Sequence, residues 1–251
     1  MTTEHGGVAL VTGAARRLGA ASTRALHGWG YRVVVHYRSR SKDADALVAE
    51  LNAERAGSAI ALQADLRDPE AVQELAREAR EYWSRLDVLV NNASEFFPTP
   101  VGELTLEQWG RLVDTNLRAP VLLVEALAEE LKLQHGCIIN LIDVHAERPL
   151  ADHPVYCATK AALASLTRSW ARDMAPRVRA NGVAPGAVLW PEGEGGDAMS
   201  EEAQQAILRQ VPLHRTGEAD DIAGAIAWLV CDAPYVTGQV LNVDGGRSVT
   251  I

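Results

Sequence analysis

The chain has 251 residues, of which 47% are hydrophobic and 23% are charged, and its formal net charge is -9. This length and composition are typical of one globular α/β domain with a substantial core. The acidic balance argues against nucleic acid as a partner, and the absence of an apolar run of about 20 residues argues against a membrane span.

Short apolar runs alternate with segments of helical periodicity. The predicted strands lie at 7–13, 31–37, 58–66, 86–93, 136–143, 177–186 and 238–246. The predicted helices run to about 27 after the first strand, and then lie at 42–55, 69–84, 105–133, 154–175 and 218–231. Strands that are apolar on both faces and alternate with helices indicate a parallel sheet covered on both sides. We therefore predict the α/β class, with a doubly wound parallel sheet of about seven strands in one domain, 1–251.

One segment departs from this alternation. Residues 188–200 read VLWPEGEGGDAMS and are rich in glycine, proline and acidic residues. The composition predicts a long loop at about 187–200, and loops of this length are often lids over a binding site. A surface insertion without function is the alternative.

The cysteines and the N-terminus indicate where the protein works. Cys137, Cys157 and Cys231 are odd in number and lack CxxC spacing, which favours a reducing compartment and no metal site. The N-terminal residues lack a basic region followed by an apolar stretch, so we expect no secretion signal. These features predict a cytoplasmic protein.

The first strand leads into a glycine-rich turn, VTGAARRLG, at 11–19. Gly13 and Gly19 would let the backbone turn tightly and approach a pyrophosphate at the N-terminus of the next helix. Such a turn is a weak signal alone, but its place between a strand and a helix indicates a dinucleotide-binding Rossmann fold.

The end of the second strand indicates which dinucleotide is bound. An Asp or Glu there would bind the ribose 2′-hydroxyl of NAD, whereas a 2′-phosphate calls for arginine. The sequence is HYRSR at 36–40, with Arg38 and Arg40 on either side of Ser39. Guanidinium groups match phosphate and a carboxylate would repel it, so we predict NADPH. The alternative is a pair of solvated surface arginines.

Tyr156 and Lys160 are four residues apart, a spacing that places both side chains on one face of a helix. A nearby ammonium favours the phenolate and would lower the tyrosine pKa from about 10. Asp143 ends an apolar run thirteen residues before the tyrosine. An acid there would be partly desolvated, which favours its neutral, proton-donating form. The alternative for Asp143 is a cap on the following segment.

A proline inside the helical pattern at 105–133 predicts a kink. Pro120 has no N–H to bond the carbonyl of Asn116, four residues earlier. That carbonyl could hold a water that passes protons to Lys160, although a kink in packing alone is the alternative.

In combination, these motifs resemble the short-chain dehydrogenase/reductase family across essentially the whole chain. The matching features are TGAARRLG, NNAS at 91–94, Asn116, YCATK and the PG pair at 185–186. Two departures, Arg17 for a glycine and Asp143 for a serine, are features of the pteridine reductase branch. NNASEFFPTP at 91–100 is similar to that branch as well.

The resemblance implies an NADPH-dependent reduction of a pterin C=N bond, with Asp143, Tyr156, Lys160 and Asn116 as catalytic residues. It places Phe96 over the pterin, with hydride delivered from the nicotinamide on the other face of the ring. The cofactor-binding residues expected from motif and resemblance are Gly13, Arg16, Arg17, Leu18, Gly19, His36, Tyr37, Arg38, Ser39, Asp65, Leu66, Asn91, Ala93, Ser94, Tyr156, Lys160, Pro185 and Gly186. The expected substrate residues are Arg17, Ser94, Phe96, Asp143, Tyr156 and Leu189.

The resemblance also implies a homotetramer, with interfaces on the helices at 105–133 and 154–175. Two other functions stay open. One is a carbonyl reductase of the same family, acting for example on a 3-oxoacyl thioester, for which serine at 143 and glycine at 17 would be expected. The other is a non-catalytic NADP(H)-binding protein, in which loss of Tyr156 or Lys160 would be expected.

Overall fold

The computed structural model describes residues 6–188 and 200–250. Its strands are β1 (Val8–Val11), β2 (Arg32–Tyr37), β3 (Ala59–Gln63), β4 (Val88–Asn91), β5 (Cys137–Leu141), β6 (Arg179–Pro185) and β7 (Val240–Val243). They form one parallel sheet in the order β3-β2-β1-β4-β5-β6-β7. The predicted α/β fold, a single Rossmann-type domain with seven parallel strands, is therefore confirmed.

Helices connect the strands in the order of the chain. They are α1 (Arg17–Gly28), α2 (Ser41–Glu54), α3 (Pro69–Glu81), α4 (Leu106–Val113), α5 (Ala119–Leu133), α6 (Pro154–Asp173), α7 (Glu201–Leu208) and α8 (Ala219–Cys231). Local sequence signals determine where several helices begin. Thr105 and Gln108 form a capping box at the start of α4, and Pro69 and Pro154 occupy the first turns of α3 and α6.

The core consists of two layers, one on each face of the sheet. Successive β1 residues alternate between them, since Val8 and Leu10 pack against α3, α5 and α6, whereas Ala9 and Val11 pack against α1, α2 and α8. Burying a leucine or isoleucine fully stabilises the fold by about 1.5–3 kcal/mol. Apolar residues on both faces of the strands thus account for the doubly wound arrangement.

The helix predicted over 105–133 is interrupted, as Pro120 indicated. Between α4 and α5 the chain forms a π-helical turn, Asp114–Arg118, in which the Ala119 N–H donates to the carbonyl of Asp114. The sequence did not predict α7, a short helix that Ser200 caps and that has no buried residue. The loop expected at about 187–200, with Leu189, lies largely outside the described residues. Within the described part of the chain, no helix combines the length and apolarity needed to cross a bilayer.

Candidate active site

A cleft opens at the carboxyl ends of β1 and β4, where the strand order reverses and doubly wound sheets bind their ligands. Gly13 has φ +61, and a Cβ on Gly19 would stand 2.2 Å from the carbonyl oxygen of Gly13. The Asn92 side chain donates to the carbonyls of Thr12 (2.7 Å) and Gly13 (3.1 Å), which ties the glycine turn to the end of β4. The turn is therefore packed so closely that a side chain at position 19 would clash with backbone atoms.

The cleft encloses about 530 Å³. Of the expected cofactor and substrate residues, it is lined by Gly13, Arg16, Arg17, Leu18, Gly19, His36, Tyr37, Arg38, Ser39, Asp65, Leu66, Ala93, Ser94 and Phe96. It is also lined by Ala15, Arg40, Asn92, Glu95 and Thr115, which the sequence did not single out as site residues. The first turn of α1 carries no acidic side chain. Four arginines and a helix N-terminus make the cleft suited to an anionic dinucleotide.

Five expected cofactor residues lie outside this lining: Asn91, Tyr156, Lys160, Pro185 and Gly186. Asn91 is buried and donates to the Asn140 side chain at 2.8 Å, so its amide joins β4 to β5 instead of facing the cleft. Pro185 ends β6, and the Gly186 N–H donates to the carbonyl of Val243 at 3.2 Å. A Cβ on Gly186 would lie 2.6 Å from Cβ of Asp244, so this glycine allows the loops after β6 and β7 to meet.

His36 connects the loops of the cleft from inside. Its ring is 2% exposed; Nδ1 accepts from the Gly13 N–H at 2.9 Å, which leaves Nε2–H to donate to the Ala64 carbonyl at 3.1 Å. Burial lowers the pKa of His36 to about 4, although the bond to Ala64 opposes the shift. The neutral ring thus holds the turn after β1 and the segment after β3 in place.

Asp65, one of the expected cofactor-binding residues, is hydrogen-bonded by a neighbouring side chain. The Arg67 guanidinium donates to both Asp65 oxygens, and these hydrogen bonds lower the pKa of the carboxyl to about 2. Asp65 is therefore an ionised acceptor at the edge of the cleft.

Asp143, Tyr156 and Lys160 come together beyond the cleft. The Tyr156 hydroxyl donates to Oδ2 of Asp143 at 2.7 Å. The Lys160 ammonium donates to the Leu141 carbonyl at 2.8 Å and lies 5.8 Å from the centre of the tyrosine ring. Asp143 also caps the short turn after β5, since its Oδ1 accepts from the His145 N–H. The two interpretations of Asp143 from sequence, an acid beside the tyrosine and a cap, both hold.

The expected lowering of the tyrosine pKa by Lys160 is wrong. Burial, together with the adjacent Asp143 carboxylate, raises the pKa of Tyr156 well above 10. Burial also lowers the pKa of Lys160 to about 8, although Asp143 opposes the shift. The reason is that Tyr156 bonds the carboxylate directly, whereas the ammonium bonds a backbone carbonyl. Tyr156 therefore holds its proton and points it at Asp143.

Asn116 lies in the π-helical turn, and its side chain positions the loop after β4. Its Oδ1 accepts from the Glu95 N–H at 2.8 Å and from the Ser94 hydroxyl at 3.2 Å, while Nδ2 donates to the Glu95 carbonyl at 2.9 Å. Nδ2 also donates to the Thr159 hydroxyl on α6 at 3.3 Å. Asn116 thus fixes the segment that carries Phe96. The water relay through its carbonyl stays a prediction.

Phe96 lines the cleft and also contacts the ring of Tyr156. Its ring is 50% exposed, stacks on His153 with centroids 4.6 Å apart, and meets the Tyr156 ring edge-on at 4.8 Å. Phe97 packs inward beneath the Arg111 guanidinium, which lies 4.7 Å from the ring centroid. The three aromatic groups Phe96, His153 and Tyr156 form a wall on which a flat ring could lie.

His153 and Glu95 are site residues that the sequence analysis missed. His153 is the N-cap of α6, three residues before Tyr156, and this proximity in sequence could have identified it. Glu95 sits inside the NNASEFF motif, but its partners, Arg38 and Arg111, are distant in sequence. No local pattern could have revealed that contact.

Comparison with known proteins identifies the family of the chain. A family model with the description Enoyl-(Acyl carrier protein) reductase, of the short-chain dehydrogenase/reductase type, matches residues 13–248. The chain therefore belongs to the short-chain dehydrogenase/reductase family and is an oxidoreductase.

Several relatives match almost end to end. A 3-oxoacyl-[acyl-carrier-protein] reductase of Synechocystis is 39% identical over 250 residues, with 98% of each chain covered. Pteridine reductase 1 of Leishmania tarentolae is 36% identical, with 97% of this chain and 96% of the relative covered. The crystal structure of a blue fluorescent protein from a metagenomic library, in complex with NADPH, superposes with a TM-score of 0.88 at 39% identity, covering 96% of this chain and 98% of that one.

Proposed function

We propose that this protein is an NADPH-dependent pteridine reductase, which adds hydride to a C=N bond of a dihydropterin. The observation that carries the proposal is the 2.7 Å hydrogen bond from the Tyr156 hydroxyl to Asp143, at the end of an aromatic wall. An acid paired with a tyrosine supplies both a proton and an acceptor, which suits a ring that presents nitrogen atoms and an amino group.

Its cofactor is NADPH, as the sequence predicted. The cleft at the β1–β4 switch point fits this cofactor, because the glycine turn and the N-terminus of α1 lie in its lining and Arg38 and Arg40 lie where a 2′-phosphate is recognised. A family relative of the same fold was solved in complex with NADPH. When bound, NADPH supplies the hydride.

The chain's own residues handle the proton. Reduction of C=N places hydride on carbon and leaves an electron pair on nitrogen, which must then be protonated. The Tyr156 hydroxyl holds a proton and donates it in a hydrogen bond to the Asp143 carboxylate. This proton passes from Tyr156 through Asp143 to the ring nitrogen, which leaves Asp143 ionised and Tyr156 as a phenolate. In its charged form Lys160 stabilises the negative charge that remains on the pair.

The aromatic wall supports a flat, conjugated substrate. Phe96 is half exposed and is held by its contacts with His153 and Tyr156, so the exposed part of its ring is available for stacking. An offset stack of this kind contributes about 0.5–1.5 kcal/mol beyond the area it buries. Ser94 and Arg17, in the lining of the cleft, would contact the polar edge of the same ring.

The second candidate is a 3-oxoacyl thioester reductase, which the names of relatives at 36–39% identity favour. The charge at the site opposes it. A ketone oxygen is only an acceptor and becomes negative during reduction, so a carboxylate beside it would disfavour that charge. A non-catalytic NADP(H)-binding protein is disfavoured further, because Tyr156 and Asp143 are hydrogen-bonded to each other and the Lys160 ammonium lies close to them.

The test is a comparison of substrates with the purified protein. NADPH consumption is followed with dihydrobiopterin, dihydromonapterin, dihydrofolate and an acetoacetyl thioester at matched concentrations. The proposal expects turnover of at least one pterin, with kcat/KM above that for the thioester. Turnover of the thioester alone, or a higher kcat/KM for it than for every pterin, would refute the proposal.

A further inference from the structure

Glu95 is a nearly buried carboxylate that bridges two arginines across the cofactor cleft. Its Oε1 accepts from Nη1 of Arg38 at 2.6 Å, and its Oε2 accepts from Nη2 of Arg111 at 2.7 Å. The Glu95 side chain is 12% exposed, whereas Arg38 and Arg111 are 49% and 40% exposed. Arg38 belongs to the loop after β2 and Arg111 to α4, so Glu95 joins the cofactor side of the site to the substrate side.

The carboxylate is ionised in this position. Burial raises the pKa of Glu95, but the hydrogen bonds from Arg38 and Arg111 outweigh burial, and the net pKa is lowered. A full negative charge therefore lies in the lining of a cleft that has to accept the phosphates of NADPH.

Two anionic groups would bind the Arg38 guanidinium. The 2′-phosphate of NADPH is the group that the guanidiniums after β2 would bind, and the same Arg38 guanidinium already bonds Glu95. A phosphate placed on Arg38 would lie close to the carboxylate, where like charges repel. Arg111 offers Glu95 a second partner, so the carboxylate keeps a charged hydrogen bond when Arg38 turns away.

We propose that Glu95 is a specificity-determining residue that competes with the 2′-phosphate of the cofactor for Arg38 and so limits the preference for NADP(H) over NAD(H). The inference about Glu95 rests on the part of the proposed function that assigns NADPH as cofactor, and it does not depend on a pterin as substrate. The Glu95 backbone is clamped on both sides by Asn116, so the competition involves the side chain and leaves Phe96 in place.

The first test is the variant Glu95→Gln, which retains the shape and removes the charge. Dissociation constants for NADPH and NADH are measured by cofactor fluorescence, with no pterin present, so the result does not depend on the substrate. The Kd for NADPH should fall about fivefold, the range of one exposed ion pair, and the Kd for NADH should change less than about twofold.

The matched control is Glu50→Gln. Glu50 also accepts from one arginine, Arg24, at 2.7 Å through each oxygen, but it lies on α2 outside the lining of the cleft. This variant removes the same unit of charge and should leave both cofactor affinities unchanged. An equal gain in NADPH affinity in both variants would mean that net charge alone acts, and would overturn the proposal.

A second variant makes the opposite prediction. Arg111→Met leaves Glu95 with Arg38 alone, which strengthens that pair, so the Kd for NADPH should rise. In the Glu95→Gln background, Arg111→Met should raise the Kd for NADPH less, since the carboxylate that competes for Arg38 is gone. Equal effects in both backgrounds, or weaker NADPH binding in Glu95→Gln, would overturn the proposal and assign Glu95 to holding Arg38 ready for phosphate.

Discussion

Tyr156 is the residue at which the proton donor and the aromatic wall meet. Its hydroxyl donates to Asp143 and its ring contacts Phe96 edge-on, so in the proposed function one side chain positions both the proton and the flat substrate. The Lys160 ammonium is held by the Leu141 carbonyl and influences the pair by its charge alone. In the proposed mechanism the proton therefore comes from the protonated hydroxyl of a tyrosine whose pKa is raised.

Tyr156→Phe tests that role. The change removes the proton but keeps the ring, so pterin turnover should fall by about 10²-fold or more while the Kd for NADPH stays within about twofold. Tyr235→Phe is the control, because Tyr235 is fully exposed and lies outside the site. Retention of most pterin turnover by Tyr156→Phe would show that Asp143 draws its proton from elsewhere.

His36 should make stability depend on pH. Its pKa is about 4 in the folded protein and about 6.5 in the unfolded chain, so unfolded protein binds the extra proton first as pH falls. The His36 contribution is complete above pH 6.5 and decreases towards pH 4, by about 2 kcal/mol at pH 5.

Urea unfolding at pH 7 and pH 5 measures this loss in the wild type and in His36→Asn. An asparagine oxygen can replace Nδ1 as the acceptor for Gly13 but does not titrate in this range. The difference between the two pH values should therefore be about 2 kcal/mol smaller in the variant. The same pH dependence in both proteins would contradict the assignment.

At the scale of elements, the glycine turn and α1 form the part of the cleft that tolerates least change. A Cβ on Gly19 would stand 2.2 Å from the Gly13 carbonyl oxygen and 2.9 Å from Cα of Ala14, and both are backbone atoms. Gly19→Ala should therefore weaken NADPH binding at least tenfold and destabilise the fold by about 1–3 kcal/mol.

Gly28 provides the control in the same helix, because a Cβ there meets no atom within 4 Å. Gly28→Ala should leave the Kd for NADPH unchanged, as measured by fluorescence titration, and should alter thermal stability little. Tight NADPH binding by Gly19→Ala would mean that the turn can open without cost.

The sequence was sufficient to predict elements that have a strong apolar periodicity or are bounded by proline or glycine. Strands such as β1 and β5 are buried throughout, and the kink before α5 follows from Pro120. The helix α7 was missed because it has no buried residue and thus no apolar period. Contacts between distant segments could not be predicted from the sequence either. The Glu95–Arg38 pair and the Phe96–His153 stack depend on how the loops after β2 and β4 and the loop before α6 meet.

At the scale of the whole molecule, the homotetramer that the resemblance implies stays a prediction, and exposed apolar side chains mark surfaces where chains could meet. Leu106 is 90% exposed and Trp109 is 48% exposed on α4, and Trp228 on α8 is 45% exposed. Side chains of this size on a surface are typical of protein interfaces.

Light scattering after size-exclusion chromatography should therefore give four times the 27.1 kDa chain mass. Trp109→Glu should lower that mass, whereas Tyr82→Glu, at a 61% exposed position on another helix end, should not. A mass of one chain for the wild type would contradict the tetramer.

The central claim is that Asp143 makes this oxidoreductase a pterin reductase. The most direct measurement is the ratio of kcat/KM for dihydrobiopterin to kcat/KM for an acetoacetyl thioester, in the wild type and in Asp143→Ser. We predict a ratio above one in the wild type and a fall of about 10²-fold or more in the variant, because serine supplies a hydroxyl but lacks the carboxyl group. A wild-type ratio below one that Asp143→Ser leaves unchanged would contradict the assignment and favour the thioester reductase.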